Sequence, residues 1–167
     1  YVGAAATKSA VLGLIILALQ LIVEAAAPIT TAQGVKVLFA SLTGDILLDA
    51  LVGALFALIS YSSLAAVLLT ATLAGAELIS LPVAIGLVIG ANIGSGLLAF
   101  LSTSMRNAAG RQVALGSLLY KLIGLVLSIP LLTPLVTWMD SLSFSPQELV
   151  IGFHLLYNSL RCLTLLP

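Results

Sequence analysis

The sequence predicts an all-α integral membrane protein, and its composition is the first reason. Of its 167 residues, 61% are apolar and only 7% are Asp, Glu, Lys or Arg, whereas soluble domains are about 25% charged. Six basic and six acidic residues cannot cover the surface of a water-soluble globule of this size. The composition therefore excludes a soluble enzyme, a nucleic-acid-binding domain with a basic patch and a disordered tail.

The second observation is the length of the apolar runs. A helix crosses a bilayer with about 20 apolar residues. The whole chain, residues 1–167, is expected to be one transmembrane domain. Its predicted spans are 9–29, 81–101, 113–139 and 147–166. In the third, Pro130 and Pro134 predict kinks, and Ser145 is expected to cap the last helix, beginning at Pro146.

Cysteine content and the first residue add two further expectations. A single cysteine, Cys162, excludes an intrachain disulfide framework and a cysteine-based zinc site. No cofactor is expected. The sequence begins with Tyr1 rather than Met, and no segment resembles a cleavable signal. The chain is therefore expected to be an excerpt of a longer protein.

The run 46–76 predicts a re-entrant helical hairpin. It is too long for one ordinary span and too short for two, and Asp49 is its only charged residue. Tyr61, Ser62 and Ser63 lie near its middle, so two half-depth helices would meet at a polar tip. Backbone at that depth is tolerated where it is buried in protein or lines a wet cavity. A single tilted span with a serine-bearing face is the alternative.

The span 81–101 carries an unusual cluster, Gly90–Ser95, near its midpoint. Gly86, Gly90 and Gly94 repeat every four residues and favour close helix packing. Packing alone does not account for Asn92 followed by Gly94 and Gly96. The cluster therefore predicts a broken transmembrane helix at membrane depth.

A broken helix and a serine tip have a defined chemistry. Free backbone N–H groups at a helix start favour an anion, and free carbonyl groups at a helix end favour a small cation. Serine hydroxyls add neutral donors and acceptors. Transporters build coupled sites from discontinuous helices in this way. The pattern is that of an anion site with sodium nearby, although serines also pack between membrane helices.

Four stretches in this order resemble the sodium/phosphate cotransporter family. The tip and the following cluster resemble the family's serine-rich hairpin tip and its asparagine–glycine break. Two later helix signatures are also similar. The matching stretches are Gly53–Phe56 leading to Tyr61–Ala65, then Gly90–Ser95, Arg111–Ala114 with Leu119–Gly124, and Phe153–Asn158.

The chain departs from the family pattern at three positions. Tyr61 stands where the family has glutamine, Leu64 where a third polar residue is common, and Lys121 where an asparagine is expected. Family members contain two inverted repeats, and only one is visible here. The chain most resembles the second half of a small bacterial member. The other half is expected from a second repeat or from a homodimer partner.

The resemblance implies sodium-coupled transport of inorganic phosphate, with this chain supplying half of the pathway. It implies a multi-pass protein of the inner or plasma membrane, and no enzyme or nucleic-acid partner. Ser62, Ser63 and Asn92 would bind phosphate or Na⁺, and Gly94 and Ser95 would line the same cavity.

Tyr61, Lys121, Asp49 and Asn158 are auxiliary candidates. Lys121 either snorkels to the membrane interface or acts as a fixed cation that attracts phosphate or replaces a Na⁺. Asp49 is a candidate for a sodium-related role. Asn158 lies one turn after His154 and is expected to hydrogen-bond between helices. Arg161 is expected at the interface.

Two other functions remain open at this point. One is a non-transporting or channel-like helical scaffold. The other is an intramembrane serine hydrolase, because Ser95 lies between glycines and His154 follows on a later helix. A rhomboid-type serine would need glycine two residues earlier, where this chain has Ile93.

Overall fold

The computed structural model describes residues 44–103 and 108–165 continuously, and only groups of one to three residues between 9 and 42. Every regular element in the two continuous stretches is an α-helix, which confirms the predicted class. The predicted first span, 9–29, lies outside these stretches. Their helices are α1 (Ile46–Ile59), α2 (Ser63–Gly75), α3 (Leu81–Thr103), α4 (Ala108–Ser128), α5 (Leu132–Asp140) and α6 (Pro146–Leu165).

Two of these helices, α3 and α4, are long and apolar enough to cross a bilayer. The 23 residues of α3 correspond to about 35 Å of helix. In contrast, α1 and α2 have 14 and 13 residues, which is about 20 Å each and short of a full crossing. The described part of the chain therefore contains both helices long enough to cross a bilayer and shorter apolar helices.

A tight turn joins α1 to α2 and forms a helical hairpin. Asp45 starts α1 by accepting hydrogen bonds from the N–H groups of Leu47 and Leu48 at 2.9 and 3.1 Å. At the other end Tyr61 turns the chain with a φ of 51°, and Ser62 caps α2. The predicted polar tip is thus a turn, and Ser63 is already the first residue of α2.

The predicted break at Gly90–Ser95 is wrong, because α3 is a continuous helix through this cluster. Its polar side chains are satisfied inside the helix instead of interrupting it. Asn92 Nδ2 donates to the carbonyl of Val88 at 3.1 Å, and Ser95 Oγ donates to the carbonyl of Asn92 at 2.7 Å. Such bonds to a preceding turn allow polar residues to remain in a helix.

The glycines of this cluster bring the backbones of α1 and α3 into contact. A Cβ at Gly90 would overlap the carbonyl of Ala50, and a Cβ at Gly53 would overlap the carbonyl of Leu87. Further along, a Cβ at Gly94 would lie 2.6 Å from the carbonyl oxygen of Ala54. The predicted small-residue face is therefore a helix-packing face.

The contacts between α1 and α3 also fix their relative direction. Asp49 faces Gly86, and Ala57 faces Gly94. Successive contacts move in the same direction along both helices, so α1 and α3 run parallel. Helix α2 turns back after the hairpin. All five of the other described helices contact α3, which has more buried residues than any of them.

The predicted span 113–139 is divided between two helices. Helix α4 ends at Ser128 and α5 begins at Leu132. Pro130 lies in the connecting turn, where its missing N–H leaves no helical hydrogen bond unmade. The second half is consequently only nine residues long.

The start of α6 is fixed by a reciprocal cap, as the sequence predicts. The N–H and Oγ of Ser145 donate to Glu148 Oε2 at 2.8 and 2.7 Å. The N–H of Glu148 donates back to Ser145 Oγ at 3.3 Å. This capping box satisfies N–H groups that have no partner within the helix.

Replacing Ser145 by alanine is expected to lower the free energy of unfolding by about 1 kcal/mol, because the cap is lost. Thermal unfolding of the purified protein in detergent measures the change. Ser143→Ala is the matched control, because Ser143 is exposed in the same turn and makes no side-chain hydrogen bond to a described residue. Equal stability of the two variants would contradict the prediction.

Candidate functional site

The hairpin tip presents hydroxyl and amide groups at the start of α2. Ser60 Oγ donates to the carbonyl of Phe56 at 2.7 Å and approaches that of Ser62 at 2.9 Å. Ser62 Oγ accepts from the N–H of Ala65 at 3.1 Å. The Ser62 hydroxyl proton therefore remains available, at the positive end of the α2 dipole. Ser62 and Ser63 are half-buried, whereas the Tyr61 side chain is 77% exposed.

The parallel register sets the height of this tip along α3. Because Ala57 lies opposite Gly94, the end of α1 reaches the level of the turn that follows Ser95. The tip serines and Ser95 therefore lie at neighbouring levels of the bundle. Among the described residues, the hydrogen bonds of the tip stay within the hairpin.

Lys121 of α4 reaches the predicted site directly. Its Nζ donates to Ser95 Oγ at 2.8 Å, and Ser95 Oγ donates onward to the carbonyl of Asn92. The lysine stem lies against Gly96, where a Cβ would be 2.9 Å from Lys121 Cδ. The absence of a side chain at Gly96 thus makes room for a half-buried ammonium group beside Ser95.

Asn92 and Gly94 face different surroundings on α3. The Asn92 side chain is 5% exposed and uses its Nδ2 within the helix. Its amide oxygen makes no hydrogen bond to a described residue and can still contact a cation. Gly94 is buried against Ala54 and Ala57, and this close contact accounts for a glycine there.

Asp49 is completely buried, and it lies away from the other candidates. Its exposed fraction is 0%, and neither carboxylate oxygen hydrogen-bonds to a described residue. It abuts Gly86, nine residues before Ser95 and hence about 13 Å away along α3. A buried unpaired carboxylate is costly, so Asp49 is stable there when a proton or a cation neutralises it.

Asn158 belongs to a polar row along α6. Its Nδ2 donates to the carbonyl of His154 at 2.8 Å, and its Oδ1 accepts from Arg161 Nη2 at 3.1 Å. Both bonds lie within α6. The sequence predicted hydrogen bonds from Asn158 to another helix, and Asn158 makes no such bond to a described residue. The row connects to α4 through Tyr120, whose hydroxyl donates to the carbonyl of Arg161.

Arg161 packs against two aromatic rings near the end of α6. It is half-buried, and its guanidinium carbon lies 4.9 and 5.5 Å from the ring centroids of Tyr120 and Tyr157. Position near the end of a predicted span indicated the interface. The available signal was its spacing of three and four residues from Asn158 and Tyr157, which places all three on neighbouring helix faces.

The structure thus joins some predicted residues and separates others. Ser95, Asn92 and Lys121 form one connected group, and the tip serines lie at a neighbouring level. Asp49 and the Asn158–Arg161 row are separate from that group in their hydrogen bonds. No cluster of three or more His, Cys, Asp or Glu side chains that could hold a metal occurs among the described residues.

Comparison with known proteins gives one family. The chain matches the Na+/Pi-cotransporter family over residues 14–164. "Putative inorganic phosphate export protein YjbB" of Salmonella typhimurium is 66% identical over 156 residues, which cover 93% of this chain and 29% of that protein. The protein of the same name in Escherichia coli K12 is 65% identical with the same coverage.

A more distant relative is "Uncharacterized protein YqeW" of Bacillus subtilis, which is 27% identical over 117 residues, or 70% of this chain and 38% of that protein. The chain spans 29% of the length of the two more similar relatives. No solved structure matches the chain.

Proposed function

Because the chain belongs to the Na+/Pi-cotransporter family, we propose that it supplies one half of a sodium-coupled pathway for inorganic phosphate. The protein acts in the inner or plasma membrane as a multi-pass transporter. The second half of the pathway comes from an inverted repeat in a longer polypeptide or from a second copy. The short helices α1 and α2 form a re-entrant hairpin in this arrangement.

The observation that supports this proposal is that the hairpin tip and the Ser95–Lys121 pair lie at neighbouring levels of the bundle. The start of α2 offers the Ser62 hydroxyl and free backbone N–H groups, which favour an anion. Lys121 adds a positive charge at Ser95 Oγ, 2.8 Å away. Phosphate bound between them would meet donors from two elements and one full charge.

In the proposal, sodium shares Ser62 with phosphate and has further ligands of its own. Hydroxyl oxygens of Ser62 and Ser63 and the amide oxygen of Asn92 are neutral oxygen donors of the kind that bind small cations. Asp49 provides a second position, where Na⁺ or a proton neutralises the buried carboxylate. Each charge that moves down a membrane potential of 100 mV releases about 2.3 kcal/mol, so inward movement of Na⁺ is a source of energy for moving an anion.

Phosphate flux across vesicles that contain the protein tests this function. We expect ³²P-phosphate flux to depend on a sodium gradient. Ser62→Ala and Asn92→Ala are expected to lower the flux about tenfold or more, because each removes a ligand of a charged species. Ser102→Ala is the matched control, because Ser102 is exposed near the end of α3 and bonds only within that helix.

The result that contradicts the proposal is a phosphate flux that does not respond to sodium, or equal flux in all three variants. A complete absence of phosphate flux would favour a non-transporting scaffold. Leakage of phosphate and chloride at similar rates, without saturation, would favour a channel-like bundle.

One contact favours the alternative of an intramembrane serine hydrolase. Ser95 and Lys121 lie at the separation of a nucleophile and its base. An acyl-transfer site also needs free N–H donors for the oxyanion. Ser95 lies in the middle of a continuous helix, whose N–H groups are used by the helix itself. The transporter is therefore the function that the geometry supports better.

A further inference from the structure

Asp49 carries a carboxyl group that is enclosed in the contact between α1 and α3. Its exposed fraction is 0%, and neither carboxyl oxygen hydrogen-bonds to a described residue. A Cβ at Gly86 would lie 2.5 Å from Asp49 Cβ and 3.3 Å from its Oδ2, so the glycine makes room for the carboxyl group and for little else. An ionised carboxylate without partners is strongly unfavourable in such a place. The group therefore needs a ligand that neutralises it.

The helices packed against α1 bring no cation to this carboxyl group. In the described part of the chain, α1 packs mainly against α3 and α2, and neither helix contains an Asp, Glu, Lys, Arg or His. Asp45, one turn earlier, is exposed and caps the start of α1. Glu77, beyond the end of α2, is also acidic and exposed. A neighbouring acid disfavours a second negative charge, so these surroundings favour a neutral Asp49.

A proton fits this position better than a sodium ion does. A hard cation binds through several oxygen ligands, and the stretch 82–90 of α3, which surrounds Gly86, has no side-chain oxygen. The backbone carbonyl groups of this stretch are used by the helix itself. A proton needs one oxygen, leaves a neutral group and takes no additional space. The buried contact therefore favours the protonated carboxyl group.

We propose that Asp49 is a proton-binding site that is closed while α1 packs on α3. Because the carboxyl group has no accessible surface in this arrangement, its proton can pass to water only when the two helices separate, which leaves a carboxylate. The inference rests on the proposed function and deepens it: a hairpin that moves against α3 during phosphate transport exposes Asp49 and exchanges its proton. The site is about 13 Å from Ser95 along α3, so this proton is separate from the proposed phosphate ligands.

Infrared spectroscopy of the purified protein in detergent detects the proton directly. A protonated carboxyl group has a carbonyl stretch that a carboxylate lacks, and at about pH 5.5 exposed carboxyl groups are mostly ionised. We expect this band in the wild type and its loss in Asp49→Asn. Asp45→Asn is the matched control, because it removes an acid from the same helix end while asparagine preserves the cap, and it is expected to retain the band. A wild type without the band, or an equal band in Asp49→Asn, overturns the inference.

Thermal unfolding separates a bound proton from a bound sodium ion. Because the folded protein holds a proton that the unfolded chain releases, its free energy of unfolding falls as the pH rises. Asp49→Asn removes this dependence, so its midpoint is expected to rise by about 5 °C relative to the wild type between about pH 4.5 and pH 7. Replacing sodium by choline is expected to leave this difference unchanged. If sodium stabilises the wild type and not Asp49→Asn, Asp49 is a sodium ligand and the inference is overturned.

A second variant covers a failure of the first to fold. Asp49→Ala also removes the acid, and its side chain is smaller than aspartate, so it fits beside Gly86. It is expected to lose the infrared band and the pH dependence in the same way as Asp49→Asn. Retention of both in Asp49→Ala would contradict the inference.

Phosphate flux distinguishes a failure of the inference from a failure of the proposed function. In vesicles, the ratio of wild-type to Asp49→Asn flux is expected to change about threefold or more between about pH 5.5 and pH 7.5, because only the wild type exchanges this proton. The ratio cancels the effect of pH on phosphate itself. A constant ratio, with sodium-dependent flux in both proteins, overturns the inference and leaves the function standing. No flux in the wild type, with its infrared band present, overturns the function and leaves the proton-binding site standing.

Discussion

Gly90→Ala is expected to destabilise the protein by about 3 kcal/mol or more, a large effect for one methyl group. A Cβ at Gly90 would overlap the backbone carbonyl of Ala50, and a backbone atom cannot rotate away as a side chain can. The two parallel helices would have to separate. That separation would also loosen the neighbouring contact between Gly53 and Leu87. Thermal unfolding in detergent measures the loss.

Gly116→Ala is the control for this prediction. Gly116 is exposed on α4, and a Cβ there would meet nothing within 4 Å. Alanine is better than glycine in a helix interior by roughly 1 kcal/mol, so this variant is expected to be slightly more stable than the wild type. If both variants gained stability, the tight packing of α1 on α3 would be refuted.

Lys121→Met is expected to have the largest effect on function, a roughly tenfold to hundredfold loss of phosphate flux. Removing a hydrogen bond to a charged group costs about 1.5–3 kcal/mol, which corresponds to a factor of that size. Methionine keeps an apolar stem that fills the space beside Gly96. Since burying an apolar group in place of a charge is often neutral or stabilising, the fold is expected to persist. ³²P-phosphate flux and thermal unfolding report the two properties separately.

Gly96→Ala tests the position of the Lys121 side chain without removing its charge. A Cβ at Gly96 would lie 2.9 Å from Lys121 Cδ, so the lysine must move while its charge remains. We expect an intermediate loss of flux. Wild-type flux in Lys121→Met would instead favour the alternative in which this lysine only snorkels toward the interface, and its contact with Ser95 would have no role in transport.

The misprediction of the broken helix has a local physical reason. Asn92 and the glycines are poor helix formers, and from spacing alone they indicate an interruption. The structure satisfies Asn92 with the carbonyl of Val88 and uses the glycines for backbone contact with α1. Propensity is a weak guide where tertiary packing compensates for it. A single sequence does not reveal that α1 will lie parallel to α3.

Lys121 and Arg161 illustrate a second kind of limit. The positions of both were predicted from their distance to the ends of predicted spans. On that basis Arg161 was expected at the membrane interface, and the interface was one of two interpretations for Lys121. Their actual neighbours, Ser95 and Tyr120, are contributed by other helices. Such contacts depend on the orientation of each helix about its own axis, and the length of an apolar run does not specify that orientation.

The sequence by itself predicted the helical class, the membrane environment and the cap at Ser145, because composition, run length and capping act locally. It left the hairpin turn near Ser62 as one of two interpretations. Its motifs also determined the family. The tertiary structure decided that α3 is continuous, that Gly90 and Gly53 allow two backbones to touch, and that Lys121 reaches Ser95. Those features depend on contacts between residues distant in the chain, and their energies exist only once the helices have packed.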